Sequence, residues 1–245
     1  MKVQQTLIYT IKTFLLSVLF CVSSYAQNDS IPDNTKETDT LKTQLKYGLR
    51  VGADLSKIVT SFIDEDFTGF EIMGDFRLTR KWYLAGEFGV QEQTTIEDYL
   101  NVTATGSYLK IGADYNAYDN WYGMDNMIYG GLRVAGSNFS QTLNSYTVYN
   151  QTQYWTPQFT STESIKDSGL TAIWVEFIAG IKAEVLNNLF LGANLQFKYM
   201  VSENQPEAFN NLYVPGFNKT YESSNFGFGF GYNISYLIPI FKKDK

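Results

Sequence analysis

The chain has no histidine, one cysteine and five prolines among its 245 residues. Without an imidazole there is no Ser-His or Asp-His catalytic pair and no Cys/His zinc site. The one cysteine, Cys21, lies in a segment expected to be cut away, so the mature chain would hold no disulfide and no thiol nucleophile. No apolar run approaches the roughly 20 residues that a membrane-crossing helix needs. Basic excess is missing as well: 19 Lys and Arg stand against 25 Asp and Glu, a balance of -6, and nucleic acid is not an expected partner. Nothing in these residues calls for a cofactor or a bound metal.

Residues 1–26 have the build of a secretory signal peptide. Lys2 and Lys12 supply a positive start, Phe14 to Val22 an apolar core, and Ser24-Tyr25-Ala26 a small-x-small cleavage site. Val18, Leu19 and Phe20 place bulky residues where a lipoprotein signal needs a small one before Cys21, so simple cleavage near Ala26 is expected. Residues 27–46 lack apolar periodicity and contain Pro32, as a disordered periplasmic leader would.

What the chain has in quantity is alternation. From Asn225 to Phe241, Phe226, Phe228, Phe230, Tyr232, Ile234, Tyr236 and Ile238 fall on one face of an extended strand. Gly227, Gly229, Gly231, Asn233 and Ser235 fall on the other. Seven further segments repeat the pattern, led by Tyr47–Leu55, Phe70–Leu78, Trp82–Val90, Leu109–Tyr115, Ile128–Val134, Ile173–Val185 and Leu189–Tyr199. At 18% charged residues overall, several charges would fall on the apolar faces by chance. None does, and a lipid-facing surface penalises charge in this way. Residues 47–241 are therefore expected to form an all-β, eight-stranded antiparallel up-and-down transmembrane β-barrel, followed by a charged tail, 242–245. The connections agree: three are short, whereas Gln141–Gly169 and Ser202–Ser224 are long and belong outside the cell. A soluble lipocalin-type barrel would need the opposite polarity, with its apolar residues filling the lumen.

The opposite faces collect charge. Arg50, Arg77, Lys110, Arg133, Lys182 and Lys198 stand against Asp54, Glu71, Asp75, Glu87, Asp114, Glu176 and Glu184. Near equality of sign points to a lumen closed by an ion-pair network, since buried charges persist only when paired. The alternatives are a narrow, porin-like small-solute channel and, with less support, a barrel enzyme acting on lipids. Without histidine or cysteine, Glu71 and Asp75 are better read as salt-bridged than as catalytic. Tyr47, Tyr83, Tyr118, Trp121 and Tyr122 sit at the expected inner ends, where an aromatic girdle belongs.

The outer loops are acidic. Asp64-Glu65-Asp66 could gather a divalent cation bridging to lipopolysaccharide, but it lacks a full ligand spacing, and a loop kept soluble by charge is the simpler account. Tyr146, Tyr149, Tyr154, Trp155 and Phe159 sit among small polar residues, which suits either a recognition surface or a hairpin extending the barrel. Outer-membrane lipid, lipopolysaccharide and the barrel-assembly machinery during insertion are the expected partners.

The span from Tyr47 to Phe241, with its aromatic last position, resembles small eight-stranded outer-membrane barrels of the OmpX and OmpA-barrel kind. More narrowly, Tyr47-Gly48-Leu49-Arg50-Val51-Gly52, Gly69-Phe70-Glu71-Ile72, Asp114-Tyr115-Asn116-Ala117-Tyr118 and Ser140-Gln141-Thr142-Leu143-Asn144 resemble the domain-of-unknown-function 6048 family. The resemblance implies a fold and an outer-membrane location in Gram-negative cells. It implies no activity and transfers no functional residue.

Overall fold

A computed structural model describes residues 44–118, 125–148, 159–206, 209–221 and 223–244. In chain order the elements are β1 (Gln44–Asp54), α1 (Leu55–Ile63), β2 (Phe67–Arg77), β3 (Trp82–Glu97), β4 (Leu100–Asn116), β5 (Met127–Val148) and β6 (Phe159–Ser161). They continue with β7 (Ile165–Leu186), β8 (Leu189–Glu203), β9 (Tyr213–Val214), β10 (Asn218–Lys219) and β11 (Phe226–Asp244). The eight long strands, which exclude β6, β9 and β10, each pair antiparallel with the next in sequence, and β1 pairs with β11. The sheet therefore closes into an up-and-down barrel.

Register follows side-chain polarity, because a slip of one residue would turn every side chain to the wrong face. On β5, Leu132 is 66% exposed while Arg133 beside it is 4% exposed. The same holds around the ring: Ile72, Leu84, Ile111, Ile181, Leu195 and Phe230 face out, while Glu71, Asp75, Lys110, Lys182 and Lys198 face in. Near the chain ends Tyr47 pairs with Phe241 and Gly48 with Pro239, which leaves Ile240 outside the ladder. The bulge falls at the proline, whose nitrogen carries no hydrogen to donate.

The sense of alternation then reverses within single strands. Further along β5, Phe139 and Leu143 are buried, and Asn138 between Ser137 and Phe139 is exposed. On β4, Val102 and Ala104 turn inward and Thr105 outward; on β7, Leu170 and Ala172 turn inward and Thr171 outward. This upper part of the barrel has an apolar interior and a polar exterior.

Several boundaries differ from those expected. β1 begins at Gln44, inside the span 27–46 assigned to a leader, and β11 runs to Asp244, through the span assigned to a tail. Gln44 to Lys46 pair with Lys242 to Asp244; backbone pairing needs no apolar face, so these polar ends were invisible to a periodicity search. Leu55 opens α1 instead of ending β1. Asp54 caps that helix, its Oδ1 accepting from the Ser56 N–H at 2.7 Å. Of the long connection expected over Gln141–Gly169, the described residues are largely strand, as β5 runs to Val148 and β7 starts at Ile165. β3, expected over Trp82–Val90, runs on to Glu97.

The connection from β8 to β11 was expected to extend outward. It folds back into the mouth. Val214-Pro215-Gly216-Phe217 forms a tight turn, with the Phe217 N–H bonded to Val214 O at 3.0 Å. Gly216 has φ +85°, the left-handed value that the third position of a type II turn demands, and proline suits the second. Val214, Phe217, Tyr108, Phe139, Trp174 and Met200 belong to one buried apolar cluster.

Candidate functional site

Beneath that plug the lumen is filled by charge. At the end carrying the short turns, Lys46 pairs with Glu184 at 3.2 Å and Arg77 with Asp125 at 3.0 Å. Arg77 also donates from Nε to the Tyr83 hydroxyl at 2.6 Å. Above them Asp75 holds two cations, Arg50 at 3.0 Å and Lys182 at 2.6 Å. The remaining groups form one connected net around Lys110, whose Nζ lies 3.2 Å from Glu87, 3.4 Å from Glu176 and 3.8 Å from Glu71. Arg133 ties Glu87 at 3.4 Å to Asp114 at 2.8 Å, and Lys198 lies 3.7 Å from Glu176. Lys57 closes the top, 3.1 Å from Asp54 and 3.2 Å from Glu71.

All thirteen charged positions named from sequence thus face inward, each within reach of an opposite charge. The strand pattern missed three partners: Lys46, Lys57 and Asp125. Lys46 and Asp125 lie at the barrel's end, outside the apolar alternation, and Lys57 lies on α1, beyond the alternation of β1. With them, the described residues place eight cations (Lys46, Arg50, Lys57, Arg77, Lys110, Arg133, Lys182, Lys198) and eight carboxylates (Asp54, Glu71, Asp75, Glu87, Asp114, Asp125, Glu176, Glu184) in these lumen pairs. Neutral donors add to the net: Tyr108 donates its hydroxyl to Glu71, and Trp174 Nε1 donates to Glu176 at 2.8 Å. Burying charge costs several kcal/mol per ion unless partners replace water; the ion pairs supply those partners, while Arg50 Nη1, Glu87 Oε2, both Asp114 oxygens and Glu176 Oε2 make no hydrogen bond among the described residues.

Two small cavities lie among these charges. One cavity of ≈ 20 Å³ lies among Glu71, Asp75, Glu87, Arg133, Lys182 and Asn233. A second, of ≈ 10 Å³, lies among Arg50, Asp75, Arg77, Tyr83 and Phe190. A single water needs about 10–15 Å³, so each volume is on the scale of one solvent molecule. Asn233 and Ser235, buried on β11, have side-chain atoms with no hydrogen-bond partner among the described residues, and Asn233 lines the larger cavity.

The plug is bolted to this floor. Lys198 Nζ donates to Gly216 O at 2.7 Å, and the Gly216 N–H donates to Gln91 Oε1 at 2.7 Å. The Tyr213 hydroxyl donates to the same Gln91 oxygen at 3.1 Å, while Gln141 Nε2 donates to Asn211 Oδ1 at 2.9 Å. Burial pushes the Tyr213 hydroxyl pKa above its ordinary value, so it stays protonated and able to donate. Lys198 was named from sequence as an inward charge, whereas Gln91, Asn211, Tyr213 and Gly216 were not. The available signal was Tyr213-Val214-Pro215-Gly216-Phe217, an apolar turn in a polar connection.

The five loop aromatics separate. Tyr146 pairs with Leu100 on β4 and Ser161 on β6, and Phe159 pairs with Val148; these two extend the hairpin. Tyr149, Tyr154 and Trp155 lie outside the described residues, as do Trp121 and Tyr122. Tyr83 is not part of a girdle: it is 2% exposed and faces the lumen, drawn in by Arg77 and Arg50. Tyr47, also named from sequence, does lie at that end, stacked on Phe241 at 5.1 Å, and Trp82 lies edge-on to Tyr115 at 5.2 Å. Asp64 and Asp66 build a turn, Asp64 Oδ1 accepting from the Asp66 N–H at 3.0 Å. Among the described residues no acidic group is arranged to hold a metal ion.

No curated protein matches the chain. Among solved structures, Neisserial surface protein A is similar with a TM-score of 0.39 and 11% identity, over 80% of this chain and 97% of that one. Ail, the attachment invasion locus protein of Yersinia pestis, is similar with a TM-score of 0.38 and 8% identity, over 80% and 99% respectively. The profile of the domain of unknown function DUF6048 matches residues 6–243. The match takes in nearly the whole chain, and the protein belongs to the DUF6048 family.

Proposed function

We propose that the protein is an outer-membrane barrel without catalytic activity, closed to solutes, that acts through the surface of its long hairpins. The observation that carries this is the reversal of side-chain polarity along β4, β5 and β7. A strand apolar outside along one length and apolar inside along the next crosses from hydrocarbon into water. On β3 the outward side chains are apolar or glycine from Trp82 to Val90, nine residues, a length that fits the ~9–11 residues of a tilted membrane-crossing strand. Tyr47, Phe241, Trp82 and Tyr115 fit one interface.

Sixteen paired charges and cavities of ≈ 20 and ≈ 10 Å³ support a closed lumen over a solute channel. They also support structural over catalytic roles for Glu71 and Asp75, each already held by two cations. At the upper edge of the apolar belt, Thr68, Glu92, Thr105 and Asn138, together with Phe70 and Val90, line an external recess of ≈ 630 Å³ that reaches from β2 to β7, which favours surface interaction as the role. Residues 1–26 act as the signal peptide, and lipid, lipopolysaccharide and the assembly machinery are the partners in the envelope. The protein purified from the outer-membrane fraction should change gel mobility on boiling and should pass no steady current in planar bilayers. Recovery from the soluble periplasm would end the membrane assignment, and a stable, size-selective current would replace closure with a channel.

A further inference from the structure

β1 stops short of its neighbours. It pairs with β2 only as far as Ala53 opposite Ile72, and with β11 only as far as Asp54 opposite Asn233. Beyond those points β2 continues to Phe67 and β11 to Phe226, each still bonded on its far side, to β3 and to β8. The wall there has a seam without a strand, and α1 packs against both of its edges. Ser61 makes the bond to the β2 edge, its Oγ accepting from the Gly69 N–H at 2.8 Å.

The polarity of α1 is the reverse of a water-soluble surface helix. Ser56 is buried and Lys57 reaches Asp54 and Glu71 in the lumen, so the polar side faces the barrel. Val59, Phe62 and Ile63, spaced i, i+3 and i+4 along one stripe, face away and are 50%, 87% and 72% exposed. The strands flanking the seam have the same sense, with Phe70 on β2 and Phe228 and Phe230 on β11 turned outward. Asp64-Glu65-Asp66 follow at once, all exposed, where the chain leaves the apolar layer.

We propose that α1 is a section of the barrel wall whose Val59-Phe62-Ile63 face is covered by acyl chains of the outer lipid leaflet, an inference that rests on the lipid-spanning barrel proposed above. Lipid is the occupant because the stripe continues the apolar belt on both flanking strands, and because a helix of this polarity lies stably at a lipid interface. The first connection is then part of the membrane domain instead of a solvated loop. The seam between β2 and β11 is sealed by side chains, with the Lys57–Glu71 pair directly behind it.

The test uses single-cysteine variants in a Cys21→Ser chain: Phe62→Cys, Val59→Cys, Leu132→Cys in the belt and Lys219→Cys on the outer surface. Each is labelled with bimane and reconstituted into phosphatidylcholine vesicles with and without brominated acyl chains, and folding is checked by heat-modifiable mobility. Labels at 62 and 59 should be quenched several-fold more than at 219 and comparably to 132. Strong quenching at 132 with none at 62 and 59 overturns the proposal and leaves the membrane barrel standing. If 62 is unquenched and crosslinks to a second copy, the face is a protein interface instead. Absence of quenching at all four positions overturns the lipid-spanning barrel itself.

Discussion

The lower and upper parts of this barrel are closed by opposite means. Below, charge fills the lumen and apolar side chains cover the outside; above, Trp174, Phe139, Val214 and Phe217 fill the mouth and Thr105, Asn138 and Thr171 face out. On the lipid-spanning reading proposed above, one chain meets two solvents and is built inside-out for one of them. An ion-pair interior also differs in its tolerance of loss. Removing a single partner leaves its counter-charges buried without compensation, while shortening an apolar plug removes contacts only in proportion to what is cut.

The sharpest way to break this contrast is Lys110→Met. It withdraws the cation shared by Glu71, Glu87 and Glu176 and should cost about 3–5 kcal/mol. The readout is the urea midpoint of the folded band on unboiled gels; a shift of under about 1 kcal/mol would mean that the net does little for stability. Next is Leu132→Arg, which puts a charge on the outward face of β5 where the side chain is 66% exposed. An ordinary exposed site would tolerate it, whereas a lipid-facing one should lose about 2–4 kcal/mol in the same assay.

Gly216→Ala probes the plug. The residue has φ +85°, and an added Cβ would lie 2.5 Å from the Tyr108 ring, so a cost of about 1–3 kcal/mol is expected. It should appear as protease nicking within 211–220, with no steady bilayer current, because the ion pairs below remain. A current would show that the hairpin alone keeps the barrel shut. The smallest effect belongs to Asn138→Arg, six residues beyond Leu132 on the same outward face. In water it should change stability by less than about 0.5 kcal/mol, and a loss as large as that of Leu132→Arg would move the boundary between the two solvents.

The alternation of Ile173 to Val185 and of Phe226 to Ile238 was plain in the sequence because the contrast between an apolar outer face and a charged lumen is extreme. The thirteen inward charges follow from the same contrast, since each strand offers only two faces. Where β4 and β5 leave the belt, the contrast weakens: Thr103 and Thr105 against Val102 and Ala104 differ by less, and in the opposite sense. A search for one sense of alternation ends the strands there, several residues early.

What the amino-acid sequence by itself determined is the set of eight strands and the face each presents, because side-chain direction in a strand is a local property with period two. Tertiary structure alone decided which charges meet, that β1 ends early and α1 fills the seam, and that Val214 to Phe217 turn inward. Each of these depends on groups far apart in the chain, such as Gln91 with Gly216 or Lys57 with Glu71, whose pairing exists only once the barrel has closed and set the distance between them.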